Sequence, residues 1–201
     1  MKFPTFLIKI LYIVVLVLLT MNLFAKNYYA NSLSTSSIAD GSFANPWKTT
    51  ADVNNGNYLL LPGDTVFFKR GGLYSGTLYC NKSGTAALPI VYTAYGTGNM
   101  PELTHTTTNV IVIYFRQFIV IDGLKIIDKT MNPTDHSILA KIAYGIIINN
   151  APFVKVKNCD ISLVGIGIEV ADGSNFTELT NNYIHDLRMI KNTNDGGEDD
   201  F

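Results

Sequence analysis

The stretch FVKVKNCDI, residues 153–161, decides the fold, because it joins two short alternating segments at a single Asn. Apolar residues occupy every second position before Asn158, and after it the apolar positions are shifted by one residue. In a strand, alternate side chains point to opposite faces. An Asn in the left-handed backbone conformation would turn the chain and produce this shift. The stretch therefore predicts two strands that meet at a corner.

Two other stretches repeat this pattern, FIVIDGLKI at residues 118–126 and FTELTNNYI at residues 176–184. The later copies are 23 residues apart, counted from Phe153 to Phe176, and the earlier ones are 35 apart, counted from Phe118. We place the additional dozen or so residues, a long connection, in the polar segment 129–137. The aligned rows are Phe118, Phe153 and Phe176; Ile121, Val156 and Leu179; Gly123, Asn158 and Asn181; and Ile126, Ile161 and Ile184.

A period of about 23 residues with a corner in each copy is the size of one coil of a parallel β-helix. The sequence therefore predicts an all-β solenoid, with the Phe row and the two aliphatic rows filling the interior and with Gly or Asn at the corners. An antiparallel β-sandwich is the alternative, since it also has short strands and turns. It does not require equivalent residues at a fixed period, which favours the β-helix.

The first 25 residues have the order of a secretory signal peptide. Lys2 and Lys9 precede or flank a nearly unbroken apolar run at residues 10–19, and Ala25 offers a small residue for cleavage. The run is shorter than the roughly 20 residues of a spanning helix. We therefore predict a signal peptide at 1–25 and a β-helix domain at 26–201, secreted or at the cell surface, with no stable membrane span after cleavage. An uncleaved anchor is the alternative.

Charge and cysteine content narrow the functional classes. Lys2 and Lys9 are two of 15 basic residues, so the mature chain would keep 13 against 16 acidic residues, a net charge of −3. That balance argues against nucleic acid as a partner, which requires a basic face. Cys80 and Cys159 are too few for a disulfide-built fold. They can pair in an oxidising compartment, but we favour two separate buried thiols because Cys159 aligns with Leu124.

Three motifs in the first half carry a resemblance to a known family. They are NPWKTT at residues 45–50, LPGDTVFFKRGG at 61–72 and SGTAALPIVYTAYGTG at 83–98. Together they resemble the opening of secreted bacterial right-handed parallel β-helix proteins of the pectate-lyase-like superfamily. That superfamily includes lyases, hydrolases, epimerases and non-catalytic surface proteins. The resemblance therefore implies a fold and a carbohydrate ligand more specifically than it implies a reaction.

The same motifs predict a short helix that caps the solenoid at its N-terminal end. Asn45 is a suitable N-cap and Pro46 a suitable first helical residue. Trp47 would cover the open end of the first coil, which otherwise presents unpaired backbone groups. No comparable cap follows the third repeat, and solenoids need caps at both ends. We therefore interpret the chain as the N-terminal cap and first coils of a β-helix truncated at its C-terminal end.

The residues Asp195, Glu198, Asp199 and Asp200 form a predicted metal site near the end of the chain. Hard oxygen ligands at close spacing suit Ca²⁺. The resemblance implies that such a cluster binds calcium, which neutralises a uronate carboxylate and acidifies the neighbouring C5 proton for a basic side chain. A solvated acidic turn without a metal is the alternative.

Lys155, Lys157, His185 and Arg188 are the predicted substrate-binding residues. If Ile184 points inward, His185 points outward, where it can act as a general base. Exposed lysines and a surface histidine without function are the alternative. Asp122, Asp160 and Asp186 recur near the corners, where paired carboxylates of a glycoside hydrolase would lie. Turn carboxylates that satisfy local backbone groups are the alternative for these three.

These features predict a monomeric, secreted polysaccharide lyase that acts on acidic, uronate-containing glycans by β-elimination, with Ca²⁺ as its cofactor. A non-catalytic carbohydrate-binding or cell-surface protein on the same solenoid is the alternative.

Overall fold

The computed structural model describes residues 25–105, 109–129 and 144–187. Within these ranges the chain forms fifteen short strands, one α-helix and one 3₁₀-helix. The elements are β1 (Asn27–Ala30), α1 (Thr50–Gly56), the 3₁₀-helix Asn57–Leu59, β2 (Thr65–Lys69), β3 (Leu73–Ser75), β4 (Leu78–Tyr79), β5 (Ile90–Tyr95), β6 (Glu102–Thr104), β7 (Ile111–Tyr114), β8 (Ile119–Asp122), β9 (Lys125–Ile127), β10 (Tyr144–Asn149), β11 (Val154–Lys157), β12 (Asp160–Ser162), β13 (Ile166–Ala171), β14 (Glu178–Thr180) and β15 (Tyr183–His185).

The strands form three sheets, and the chain visits them in turn. The first sheet has the order β1-β2-β5-β8-β11-β14, the second β3-β6-β9-β12-β15 and the third β4-β7-β10-β13. Neighbouring strands in each sheet are parallel, as the β11–β8 and β12–β9 pairs illustrate. Successive coils therefore stack directly on one another. The predicted all-β parallel β-helix is confirmed.

The register agrees with the alignment of the three repeats. Val156 pairs with Ile121 on one side and with Leu179 on the other. Ile161 likewise lies between Ile126 and Ile184. Val156, Ile161 and their partners in the preceding coil are fully buried. Stacked aliphatic rows therefore form the core, and burial of each such side chain contributes roughly 1.5–3 kcal/mol.

The predicted corners are also present. Gly123, Asn158 and Asn181 have φ values of 69°, 54° and 53°, in the left-handed region. Gly adopts this conformation without cost, and Asn is one of the side chains that tolerates it. The corner separates β11 of the first sheet from β12 of the second, as the shifted alternation requires.

The Phe row does not fill the interior, so that part of the prediction is wrong. Phe118, Phe153 and Phe176 stack in near-parallel pairs with ring centroids 4.7 and 4.9 Å apart. They stack outside the coil, because Phe153 is 37% and Phe176 71% exposed. Phe118, Phe153 and Phe176 have φ values of 54°, 59° and 59°, so each is itself a left-handed corner, and β11 with its inward-pointing side chains begins only at Val154. The row is thus an external aromatic stack at a corner.

The additional residues between the first two repeats lie where they were predicted. Strand β9 ends at Ile127 and β10 begins at Tyr144, whereas β12 ends at Ser162 and β13 begins at Ile166. The longer connection contains segment 129–137, of which Lys129 belongs to the described residues. The change in spacing therefore comes from one connection between the second and third sheets.

The N-terminal helix begins later than predicted. Its N-cap is Thr49, whose hydroxyl accepts a hydrogen bond from the Asp52 backbone N–H while Asp52 accepts from Thr49 in return. This capping box satisfies two backbone donors at once, so the helix starts at Thr50 rather than at Pro46. Trp47 instead forms a parallel bridge with Ala30. Its ring is buried and stacks on Tyr28 at 5.1 Å. It lies over the first coil, as predicted.

Side chains of the helix and the residue after it cover the edge of the third sheet. Asn54 donates to the Thr77 carbonyl at 2.8 Å and accepts from the Tyr79 backbone N–H at 2.9 Å. Asn57 donates to the Tyr79 carbonyl. These amides take the positions of a preceding strand's backbone groups. An edge that would otherwise pair with another chain is thereby closed.

Two further sequence predictions concern the thiols and the leader. Cys80 and Cys159 are both buried and unpaired, which confirms two separate thiols. The predicted signal peptide falls almost entirely in residues 1–24, outside the described ranges. Among the residues with described placement, no helix has the length and hydropathy needed to cross a membrane.

Candidate functional site

The predicted lysines lie on the outer face of the first sheet. Lys155 and Lys157 alternate with the buried Val154 and Val156, which turns both ammonium groups outward. Lys155 Nζ lies 2.9 Å from Glu178 Oε1 in the next coil. Lys157 Nζ lies 3.3 Å from Asp122 in the preceding coil. Both side chains are about half exposed, so each pair contributes about 1 kcal/mol or less.

Asp122 is held by a second partner at the corner. Its Oδ1 accepts a hydrogen bond of 2.8 Å from the Asn158 side-chain amide, while Oδ2 faces Lys157. Both carboxylate oxygens of Asp122 thus contact the neighbouring coil. These contacts agree with a structural role for Asp122. None of them joins Asp122 to Asp160 or Asp186.

His185 lies on the outer face of the second sheet, between two carboxylates. Ile184 pairs with Ile161 of the core, so the flanking His185 points outward, as expected. Its Nδ1 lies 2.7 Å from Asp186 Oδ2, and its Nε2 lies 3.1 Å from Asp160 Oδ1. The imidazole is 28% exposed and reaches solvent. Asp160 begins β12, His185 is the last residue of β15 and Asp186 follows it.

The two carboxylates determine the protonation of His185. The hydrogen bond to Asp186 is the largest influence, and with the hydrogen bond and charge of Asp160 it raises the pKa of His185. Partial removal from water opposes this shift. A neutral imidazole donates from one nitrogen alone, whereas the imidazolium donates from both. The geometry therefore stabilises the protonated ring, with one carboxylate at each nitrogen.

Tyr183 completes the group. Its ring stacks on the imidazole with centroids 4.2 Å apart and an interplanar angle of 25°. The side chain is 64% exposed. Asp160, Tyr183, His185 and Asp186, here called the His185 cluster, therefore place a phenol, an imidazole and two carboxylates together on an accessible sheet face. Such a group can transfer a proton to or from a bound ligand.

The other predicted site residues are not placed by the structure. Arg188 and the acidic residues Asp195, Glu198, Asp199 and Asp200 lie outside the described ranges. In the ranges that are described, no group of three or more His, Cys, Asp or Glu residues is arranged to hold a metal. The calcium site remains a prediction.

The contact between Asp160 and His185 was missed in the sequence. The repeat alignment already places Asp160 opposite Tyr183 and Ser162 opposite His185, and the register is as aligned. Side chains two positions apart share a face, so Asp160 and His185 had to be diagonal neighbours. The alignment contained this signal, but each residue was considered alone.

No protein-family model matches the chain, and no curated relative matches it. Solved structures do resemble it. An alginate lyase from Paenibacillus sp. str. FPU-7 superposes with a TM-score of 0.59 at 20% identity, over 78% of this chain and 44% of that one. A GH136 lacto-N-biosidase from Eubacterium ramulus gives 0.60 at 17% identity, over 79% and 36%. A rhamnogalacturonan lyase gives 0.50 at 14% identity, over 80% and 51%.

These likenesses concern the fold, because the identities are low. They define the class: the chain has the fold of the parallel β-helix proteins, and three of the enzymes that share it carry carbohydrate-active names. The chain spans between about a third and about a half of the length of these three structures.

Proposed function

We propose that this chain is the carbohydrate-active N-terminal portion of a secreted β-helix polysaccharide lyase that cleaves uronate-containing glycans by β-elimination. The His185 cluster carries the proposal, because it is an accessible proton-transfer group on an outer sheet face. The likeness to an alginate lyase and a rhamnogalacturonan lyase supports the substrate class. The apolar leader supports secretion. A monomer is the simplest assembly for this role.

The reaction assigns each group a task. In β-elimination a base takes the proton at C5 of the uronate, a double bond forms between C4 and C5, and the C4–O bond breaks. Neutral His185 is the base in this proposal: the carboxylate that accepts from its protonated nitrogen orients the ring, and the other nitrogen leaves its carboxylate to take the C5 proton. Because these carboxylates raise the pKa of His185, the base form becomes available only as the pH rises through that value. In this proposal Tyr183, whose ring stacks on the imidazole, gives a proton to the leaving oxygen.

Two carboxylates beside the base repel the uronate carboxylate, so the proposal requires a cation. Asp195, Glu198, Asp199 and Asp200 have the oxygen chemistry that Ca²⁺ prefers. Calcium bound there would neutralise the substrate carboxylate. Arg188 lies two residues after Asp186 in the sequence and is the nearest basic residue along the chain. Lys155 and Lys157 are less suited, because each already faces a carboxylate.

A non-catalytic carbohydrate-binding protein is the second candidate. The pairing of Lys155, Lys157 and His185 with carboxylates of the chain favours it. Such pairs can stabilise the stacking of coils without taking part in a reaction. This candidate predicts glycan binding without turnover.

Formation of the unsaturated product tests the proposal. Polygalacturonate, alginate and other acidic glycans are incubated with the full chain and Ca²⁺, and the new double bond is followed by ultraviolet absorbance. The lyase proposal predicts absorbance with at least one acidic glycan and none with a neutral glucan. Binding without any increase in absorbance would favour the non-catalytic candidate instead.

A further inference from the structure

Four aromatic rings lie together on the outer face of the first sheet, at its N-terminal end. Tyr29 stacks on Phe67 with centroids 5.4 Å apart, and it meets Phe43 and Tyr95 edge-on at 5.1 and 5.3 Å. Phe43 and Phe67 each lie 6.3 Å from Tyr95. We call Tyr29, Phe43, Phe67 and Tyr95 the aromatic platform. The four rings come from three neighbouring strands and the segment after β1.

The platform is separate from the core. Tyr29 and Phe67 alternate with the buried Tyr28 and Phe68, so their rings stand on the outside of the coil. Phe43 is 69% exposed. Exposure of such apolar area to water is unfavourable in free energy. A cluster of outward rings at one place, rather than single scattered ones, is typical of an interaction site.

Basic groups border the platform. Lys69 Nζ lies 5.5 Å from the Tyr95 ring centroid, and Lys69 is the direct register partner of Tyr95. The adjacent Arg70 donates from Nη1 to the Gly98 carbonyl at 3.3 Å. Within residues 25–105, 109–129 and 144–187, neither cation is in an ion pair, whereas Lys155 and Lys157 are. The platform therefore combines apolar ring faces with positive charge that no carboxylate of the described chain neutralises.

We propose that the aromatic platform binds an acidic glycan and anchors it to the first coils. The exposed Phe43 ring and the apolar ring edges beside it accept the C–H faces of the pyranoses, and Lys69 pairs with a uronate carboxylate. Charge complementarity favours an acidic over a neutral glycan.

This inference takes its glycan class from the proposed function, but it concerns a different place in the fold. The platform lies on the first three strands of the first sheet, and the His185 cluster lies on the last two strands of the second. The platform therefore anchors the polysaccharide away from the reacting groups. It contributes to binding of long chains and does not take part in the proton transfer.

Calorimetric titration of the full chain tests the inference. Oligogalacturonides and oligo-alginates are the acidic probes, and cello-oligosaccharides are the neutral probe. The His185→Asn background prevents turnover during the titration. Phe43→Ala and Lys69→Gln are the platform variants. Phe115→Ala is the matched control, because Phe115 is 68% exposed and belongs to a different part of the surface.

The proposal expects the acidic probes to bind more tightly than the neutral one. Phe43→Ala should weaken binding of an acidic probe about tenfold, the effect of losing one aromatic contact. Lys69→Gln should remove the preference for the acidic over the neutral probe, and Phe115→Ala should leave both affinities unchanged. Because Phe43 and Lys69 both reach solvent, neither variant is expected to unfold the coil.

Unchanged affinity in both platform variants would overturn the inference. So would sedimentation of the wild-type chain as a dimer that Phe43→Ala dissociates, since a second copy would then occupy the platform. Failure of the platform inference can be distinguished from failure of the lyase proposal. Platform-dependent binding without an unsaturated product would contradict the lyase proposal and support the platform inference. An unsaturated product with no effect of the platform variants on binding would contradict the platform inference alone.

Discussion

His185 Nε2 lies 3.1 Å from Asp160 Oδ1, although 25 residues separate them in the chain. The distance follows from the stacking of coils, because Ser162 pairs with His185 and Asp160 lies two positions before Ser162 on the same face. A β-helix thus converts a sequence separation of about one coil into a side-chain contact. The His185 cluster exists because of this register.

We expect the imidazole of His185 to titrate above its ordinary value of about 6.5. Asp186→Asn should lower its pKa most, since the hydrogen bond to Asp186 is the largest cause of the rise. Asp160→Asn should lower it less. NMR titration of the His185 ring protons in the wild type and in both variants measures these values. Identical titration of His185 in the wild type and both variants would contradict the assigned contacts.

The same shift predicts how stability depends on pH. The folded-state pKa of His185 lies above the unfolded value, so its contribution is complete below the unfolded pKa and is lost as the pH rises through the folded pKa. The melting temperature of the wild type should therefore exceed that of His185→Asn most in acid, with the difference shrinking towards alkaline pH. A difference that grows with pH would show that the carboxylates do not stabilise the imidazolium.

The corners and aliphatic rows could be predicted from sequence because both depend on local rules. The apolar alternation shifts by one residue at Asn158, and the same shift recurs in each repeat. The corners at Gly123, Asn158 and Asn181 were therefore identified from the sequence. The start of the helix could not be predicted from sequence, because Thr49 and Asn45 are both good N-caps. The capping box with Asp52 decides between them. The Phe row was wrongly placed in the core, because equivalent positions in the repeats were assumed to be buried positions.

The candidate site was predicted in pieces. His185 and Asp160 were identified separately, and their contact required the register of two coils. The aromatic platform was less accessible still, since Phe43 lies in an irregular segment whose path no periodicity predicts. It meets Tyr29 only in the folded chain. Local chemistry is thus readable from the sequence, whereas proximity across coils depends on how they stack.

The conformation of the Asn158 corner gives a stability prediction with a matched control. Asn158→Ala keeps a Cβ in the left-handed region but loses the polar side chain that helps Asn to tolerate it, which costs about 1–2 kcal/mol. Asn158→Gly also loses the hydrogen bond to Asp122 but adopts the same φ freely, so it should cost less. Urea denaturation measures both. An Ala variant as stable as the Gly variant would show that the left-handed conformation is not required.

The buried Trp47 should be essential for the first coil. Trp47→Ala removes the ring that stacks on Tyr28 and leaves a cavity, which typically costs about 3–5 kcal/mol. Gly56→Ala should also destabilise the cap, because its Cβ would overlap the Trp47 ring. Tyr58→Ala is the control, since Tyr58 is 71% exposed. Equal melting temperatures for Trp47→Ala and the control would mean that Trp47 is not part of the cap.

Both cysteines should be unreactive in the folded protein. Burial raises the pKa of Cys80 to about 12 and that of Cys159 to about 11, and the thiolate is the reactive form. A thiol reagent should therefore label neither in native buffer and both in guanidinium. Rapid native labelling, or a disulfide found by mass spectrometry without reduction, would contradict the burial of two separate thiols.

The initial rate of double-bond formation on an acidic glycan, compared between the wild type and His185→Asn, tests the central proposal most directly. His105→Asn is the matched control. The wild type and the control are expected to generate the ultraviolet-absorbing product, at a rate that rises with pH through the pKa of His185. His185→Asn is expected to lose about 10²- to 10⁴-fold in rate, the usual contribution of a general base. An undiminished rate in His185→Asn, or no product from the wild type on any acidic glycan, would contradict it.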